Sequence, residues 1–324
     1  MPGPTKPLVL IDAAIHDEPL TFLAEVAEVV RYGDGHELDA LVTERGGEVI
    51  GLGTLLSTRV DAALLGRLPR LRVVANCAVG VDNVDVEAAA RRGIVVTNTP
   101  DVLAEATADL TWALILAVAR RLREGEALTR SGEWTGWHPR QLLGMELAGS
   151  TLAVLGLGRI GEAVARRAIG FKMDVVYVGR TPRPDLEARL MLRRFPLEQA
   201  LERADVVTIH LPLTDETRHL IGAAELARMK PAAILVNTAR GPIVDEAALA
   251  EALEHGRIAG AGLDVYEDEP RIHPRLLAHP RTVLLPHLGS ATDRTRLAMA
   301  ELMAKNLRAV LAGQPALTPV ESHK

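Results

Sequence analysis

The 324 residues predict an α/β chain made of two doubly wound, Rossmann-like domains, each built on a parallel sheet. Three observations carry this. Short apolar, β-branched runs alternate with helical stretches along nearly the whole chain, the pattern of repeated βα units. A Gly-x-Gly-x-x-Gly segment at 156–161 falls at a strand-to-helix junction. The length exceeds that of one ordinary domain, and the apolar content, 48%, is enough for two cores.

In chain order, residues 8–11 (LVLI) read as the first strand, and 20–30 as an amphipathic helix. Residues 46–53 lead into a strand ending at Leu55-Leu56-Ser57. A helix over 59–68 and a strand at 72–75 (RVVA) follow. The next turn, 76–83 (NCAVGVDN), contains Gly80, where backbone can approach a small ligand. Spacing alone does not separate that role from a plain βα turn. Residues 84–92 predict a helix stopped by Gly93, and 94–97 a strand. Thr99-Pro100-Asp101 opens a long helix: proline suits a first turn, and Asp101 and Glu105 suit its positive pole. Arg120, Arg121 and Arg123 with Gly125 are read as its C-terminal end, which makes it a candidate connector between the two halves. The loop 131–139 (SGEWTGWHP) holds two of the three tryptophans, Trp134 and Trp137, and reads as a contact surface.

The glycine segment organises the second half. A strand at 151–155 (TLAVL) runs into it, Ala163, Val164, Ala165, Ala168 and Ile169 continue at helical spacing, and a strand follows at 174–178. Gly156 permits the tight turn, Gly158 lets amides approach a pyrophosphate, and Gly161 lets helix and strand pack closely. The helix N-terminus, from Arg159 and Ile160, presents unpaired N–H groups and partial positive charge to phosphate. Such a site for NAD usually ends its second strand on a carboxylate, about 20 residues on. Here Gly179-Arg180-Thr181-Pro182-Arg183 stands instead. Guanidiniums suit a 2′-phosphate, so NADP(H) is the preferred cofactor, with NAD(H) possible.

Alternation continues with strands at 206–210 (VVTIH), 233–237 (AILVN), 259–263 and 283–285, and helices at 223–229 and 246–254. A long helix at 293–312 is expected to return to the first domain. Open parallel sheets bind ligands at the C-terminal ends of their strands. Arg240, Glu269 and His287 stand at such ends. Hydride transfer to a 2-oxo acid fits them: a guanidinium for the carboxylate, an imidazole to protonate the carbonyl oxygen, a carboxylate to orient the imidazole. Among Glu267, Asp268 and Glu269, spacing selects none.

Composition sets the outer limits. Net charge is −5, and no basic block suggests a nucleic-acid partner. Only five residues (Lys6, Lys172, Lys230, Lys305, Lys324) of 37 Lys+Arg are lysines, a skew that codon bias or selection for heat stability would each explain. The single cysteine, Cys77, excludes an intrachain disulfide and a CxxC metal site, and no metal is expected. The N-terminal MPGPTKPLVL lacks the features of a signal peptide, and the apolar run near 110–119 is too short to span a bilayer. A cytoplasmic protein with no membrane partner is expected.

Six motifs in one order, AVGVDN (78–83), TPDVLAEATAD (99–109), VLGLGRIG (154–161), NTARGPIVDEAAL (237–249), AGLDVYEDEP (261–270) and LPHLGSAT (285–292), make the chain resemble the D-2-hydroxyacid dehydrogenase family over nearly its whole length. The resemblance implies that Arg240 binds substrate carboxylate, that Glu269 pairs with the catalytic His287, and that the backbone of Val79 and Gly80 holds substrate. Within the family, VGRTPRP and the Trp-x-x-Trp loop are similar to those of glyoxylate/hydroxypyruvate reductases. This likeness implies a homodimer in which Trp137 reaches the partner's active site, with Leu55 and Ser290 beside the substrate. It further implies cofactor contacts at Thr107, Pro212, Thr217, Thr238, Asp264, His287 and Gly289, with those of the glycine turn and of Arg180, Thr181 and Arg183. The implied substrate domain is discontinuous, 1–100 with 288–324, around a dinucleotide domain at 101–287. Expected activity is NADPH-dependent reduction of glyoxylate and hydroxypyruvate to glycolate and D-glycerate. Oxidation of another small anion, phosphite or formate, and a non-enzymatic NAD(P)H-sensing interaction protein are the competing readings.

Overall fold

The computed structural model describes residues 6–321. The outermost residues of the expected domain limits, 1–5 and 322–324, lie outside them, as does half of the stretch on which the signal-peptide expectation rests. The chain divides into two compact units, Met1–Leu103 with Ala291–Lys324, and Ala104–Ser290.

The first unit carries β1 (Leu8–Asp12), β2 (Glu28–Tyr32), β3 (Val49–Thr54), β4 (Val73–Asn76) and β5 (Val95–Thr97), all parallel, in the order β2-β1-β3-β4-β5. Three of its helices begin on side-chain caps: Asp34 and Asp61 each accept two N–H groups of the first turn, and Asp85 accepts that of Ala88. The C-terminal helix Asp293–Leu311, grouped with the first unit, packs on β3 and β4. Close packing there suits the small residues of β3; Leu307 and Met303 stand 3.1 and 3.3 Å from where a Cβ would sit on Gly51 and Gly53.

The second unit carries β6 (Thr151–Leu155), β7 (Asp174–Val178), β8 (Arg193–Arg194), β9 (Val206–Ile209), β10 (Ile234–Asn237), β11 (Gly260–Leu263) and β12 (Thr282–Leu284). The order is β12-β11-β10-β9-β6-β7-β8, again all parallel. Strands buried on both faces read as continuous apolar runs. Thus Leu152 and Val154 of β6 enter one apolar layer, and Ala153 and Leu155 the other. The strand order reverses between β6 and β9, which is where open α/β sheets leave a crevice for ligands.

Three expectations are corrected. Residues 20–30 are not one helix: a short turn of helix, Thr21–Ala24, gives way to β2. Val29 and Val30 are β-branched, and the segment pairs with β1 from Leu8↔Glu28 to Asp12↔Tyr32. The long helix opens at Ala104 rather than at 99–101, and Asp101 has φ 73°. It stops at Ala119, because Met145 N–H reaches the Ala119 carbonyl at 2.8 Å and Arg121 turns left-handed at φ 54°. A second helix, Leu122–Ser131, then contains Gly125, and Gly132 (φ 74°) ends it. Helices Gly35–Arg45, Pro184–Leu190 and Leu197–Arg203, with the edge strand β8, stand where no element was expected.

Candidate active site

The glycine turn sits at the β6/β9 switch. Gly156 has φ 96°, and a Cβ there would lie 2.6 Å from the His210 carbonyl oxygen at the end of β9. A Cβ on Gly161 would lie 2.1 Å from the Gly156 oxygen, so the helix Arg159–Ala168 meets the turn at a distance only glycine allows. Gly158 differs: its φ is −81° and a Cβ would meet nothing within 4 Å. Among the described residues no packing demands glycine there, and the open space above the amides of the first helical turn suits a phosphate. The residues present therefore fit a dinucleotide pyrophosphate. The helix is held by Trp112 of the helix Ala104–Ala119, whose indole N–H donates to the Val164 carbonyl at 3.1 Å while its ring stacks on Phe171 at 4.3 Å.

At the tip of β7, Arg180, Thr181 and Arg183 are exposed. Arg183 is tied at both ends, its Nη1 donating to the Leu157 carbonyl at 3.1 Å and its backbone N–H to the Tyr177 hydroxyl at 3.0 Å. That ties the basic tip to the glycine turn. Glu162, 4.0 Å from Arg183 Nη2, also pairs with Arg189, so part of the positive charge is balanced locally. Arg194 of β8, which sequence reasoning passed over, donates from Nε to the Gly179 carbonyl and from Nη2 to the Arg180 carbonyl, each at 2.9 Å.

Other expected cofactor residues fall into three groups. Thr107 and Thr238 are buried, and Thr238 Oγ1 lies 2.9 Å from Thr111 Oγ1. Thr217 turns its hydroxyl onto its own loop, donating to the Pro212 carbonyl at 2.7 Å and accepting the Thr214 N–H at 2.8 Å. Asp264, almost fully buried, accepts the N–H groups of Leu288 (2.7 Å) and Gly289 (2.8 Å), one on each carboxylate oxygen. Burial raises its carboxyl above the usual range against the pull of those two amides and of His287. Its evident work is to fix the loop 287–289, which leaves Ser290 half-buried at its end.

Arg240, Glu269 and His287 all belong to the second unit. His287, at φ 56°, donates its backbone N–H to the Asp264 carbonyl at 3.0 Å. Its Nδ1 lies 2.9 Å from Glu269 Oε2, and Glu269 Oε1 accepts the Tyr266 N–H at 3.1 Å. Geometry thus chooses among the three carboxylates that spacing left equal. Glu267 pairs with His219 at 3.0 Å, and Asp268 pairs with Arg271. Burial pushes the Glu269 carboxyl upward, but the bond and charge of His287, the Tyr266 amide and the Arg240 charge outweigh it and hold the carboxyl below its usual range. An ionised carboxylate only accepts, so this bond sets an imidazole N–H at Nδ1 and leaves Nε2 outside the pair. Arg240 follows β10, with Asn237 Nδ2 donating to its carbonyl at 2.8 Å. A Cβ on Gly241 would stand 1.8 Å from the Tyr266 carbonyl carbon, so glycine alone allows the Arg240 turn to press against the segment leading to Glu269.

In the first unit, Leu55 is half-buried after β3, and Val79 and Gly80 lie in the turn after β4. Among the described residues, no group accepts the N–H of Val79 or Gly80. Trp137 is 82% exposed and Trp134 53%, a wide apolar surface for a loop. Cys77, beside the Val79 turn, is buried, and burial pushes its thiol up to about 12. Among the described residues no cluster of three or more potential ligands for a metal ion occurs, and no helix is long and apolar enough to cross a membrane.

A glycine-cradled helix at the switch point, with a carboxylate-oriented imidazole and an arginine at neighbouring strand ends, defines a nicotinamide-dependent oxidoreductase of α/β architecture. The chain belongs to the D-2-hydroxyacid dehydrogenases: the sequence model of the D-isomer specific 2-hydroxyacid dehydrogenase NAD binding domain matches residues 112–289. It is 50% identical over 314 residues to a glyoxylate reductase of Thermococcus gammatolerans, covering 95% of this chain and 94% of that one. A crystal structure of an NADPH-dependent glyoxylate/hydroxypyruvate reductase from Sinorhizobium meliloti, in complex with NADP and malonate, superposes with a TM-score of 0.89 at 41% identity, over 98% of this chain and 97% of the other. A glyoxylate reductase structure from Paecilomyes thermophila gives a TM-score of 0.91 at 35% identity, over 99% and 100%.

Proposed function

We propose that this chain catalyses NADPH-dependent reduction of glyoxylate and hydroxypyruvate. The observation that carries the reading is the His287 Nδ1–Glu269 Oε2 bond at 2.9 Å, in a unit whose Arg240 stands close enough to influence the Glu269 carboxyl. The 2-hydroxyacid chemistry is that of the family. The choice of substrate is supported by the relatives named glyoxylate reductase. When bound, the nicotinamide supplies a hydride. The chain's own residues do the rest. The Arg240 guanidinium takes the substrate carboxylate with a two-pronged hydrogen bond. His287 Nε2 donates its proton to the carbonyl oxygen as negative charge develops there. Glu269 holds Nδ1–H so that the ring keeps the useful tautomer and orientation. The free amides of Val79 and Gly80 are read as substrate donors, with Leu55 as an apolar wall.

The 2′-phosphate reading rests on Arg180 and Arg183, with no carboxylate at the tip of β7. The Trp134/Trp137 loop is read as the arm of a homodimer, Trp137 reaching the partner's substrate. Initial rates with glyoxylate and hydroxypyruvate, each with NADPH and with NADH, test the whole. Rates at least tenfold higher in kcat/KM with NADPH are expected. Preference for NADH would overturn the pocket at Arg180 and Arg183 while keeping the chemistry. No turnover on either acid would overturn the substrate class and turn attention to phosphite, formate or a sensing role. Arg194→Ala frees the carbonyls of Gly179 and Arg180, and NADPH affinity is expected to fall roughly fivefold for the loss of about 1 kcal/mol of net hydrogen bonding. Fluorescence titration of NADPH and NADH checks it; equal weakening of both would mean that the turn does not select the phosphate.

A further inference from the structure

Asn76 ends β4 and is buried. Its Oδ1 accepts the hydroxyl of Thr54, the last residue of β3, at 2.9 Å and Asn83 Nδ2 at 3.2 Å. Its Nδ2 donates to the Gly80 carbonyl at 2.8 Å and to Asn83 Oδ1 at 3.1 Å. Asn83 Nδ2 in turn reaches the carbonyls of Leu55 at 3.1 Å and Thr58 at 2.9 Å. The two amides therefore bond reciprocally, and each also holds a different loop. One holds the turn of Val79 and Gly80, and the other the loop of Leu55. The hydrogen-bonding capacity of Asn76 is complete, two donors and two lone pairs, which is the condition under which a buried polar network rigidifies its surroundings.

The same bonds determine which backbone groups remain for a ligand. The carbonyl of Ala78 accepts Thr99 N–H at 2.7 Å, that of Val79 accepts Asn98 Nδ2 at 2.8 Å, and that of Gly80 accepts Asn76. Three successive carbonyls are drawn into the chain, and the amides of Val79 and Gly80 are left as donors. A turn with its acceptors engaged and its donors free favours an anion.

We propose that the Asn76–Asn83 amide pair is a positioning element that fixes the distance between the Leu55 wall and the Gly80 amide, and so sets which 2-oxo acids are accepted by size. The inference rests on the reading that these two loops flank the substrate carboxylate and its substituent. Neither asparagine touches substrate; both act through the carbonyls they hold.

Asn83→Ala is the test. It removes both bonds to the Leu55 loop and leaves Asn76 its bond to Gly80. The expected result is a rise in glyoxylate KM on the order of tenfold, the loss of one to two neutral hydrogen bonds, with kcat within about twofold and NADPH affinity unchanged. Relative kcat/KM for a bulkier acid, phenylpyruvate against glyoxylate, should rise, because the wall is no longer held. Should that variant fail to fold, Asn83→Ser, which keeps one hydroxyl donor but cannot span both loops, gives the same readout at smaller size. An unchanged glyoxylate KM and unchanged size preference would overturn the proposal while the proposed function stands, as would an equal loss of kcat on both acids tracking a lowered Tm, the mark of a merely structural pair. Absence of glyoxylate turnover in the unsubstituted protein is the separate result that removes the functional reading itself.

Discussion

His287→Ala is expected to lower kcat by about 10³-fold, within the 10²–10⁴ that a positioned general acid contributes, while NADPH affinity stays within about twofold. The imidazole is placed by its neighbours on both sides: its backbone is fixed by Asp264 and its Nδ1 by Glu269. On the proposed reading, removing the ring takes away the proton donor for the carbonyl oxygen, and an ionised Glu269 only accepts. Single-turnover rates in glyoxylate, with cofactor binding followed separately, decide it; a rate within tenfold of the unsubstituted protein would remove His287 from proton transfer. Glu269→Gln tests the pair by pH. The Glu269 carboxyl is held below its ordinary range in the folded chain. A group so depressed adds stability above its unfolded value, near 4.3, and loses it as pH falls through the lower folded value. Thermal unfolding of the unsubstituted protein should therefore carry an acid-side decline, below about pH 4.3, that is weaker in Glu269→Gln. Identical declines would mean that the pair contributes no proton-linked stability.

Much of the candidate site is legible in the sequence, and the reason is local. Gly156, Gly158 and Gly161 sit at a strand-to-helix junction whose spacing has one geometric use, and Arg240, Glu269 and His287 follow strands whose apolar runs are continuous because both faces are covered. What failed to show was set by tertiary partners. The break at Ala119 depends on Met145, which is 26 residues away, and helical periodicity carries no trace of it. β2 was hidden because an edge strand of half-buried residues reads equally well as one face of a helix. The choice of Glu269 over its two acidic neighbours came only from which of the three reaches the imidazole. Arg194, Asn76 and Asn83 had no signal of their own, because each works by holding backbone carbonyls that are distant in sequence or in another loop.

Arg240→Ala should raise the KM for glyoxylate by about 10² or more, because a charge-assisted hydrogen bond is worth roughly 1.5–3 kcal/mol and a guanidinium makes two to one carboxylate. The effect is expected in KM first, since the carboxylate is bound before and during the reaction alike. Arg240→Lys should recover only part of it, for an ammonium restores the charge but not the planar fork. The turn beneath the side chain is rigid enough to make the comparison clean. Asn237 holds the Arg240 carbonyl, and Gly241 lets the turn pack directly against the Tyr266 backbone. A substrate without a carboxylate supplies the decisive control. If Arg240 acts as the clamp, kcat/KM for glycolaldehyde is already low in the unsubstituted protein and changes little in Arg240→Ala, so the two losses are not additive. If glycolaldehyde suffers the same further loss as glyoxylate, Arg240 does something other than hold the carboxylate, and its influence on the charge of Glu269 becomes the explanation to pursue.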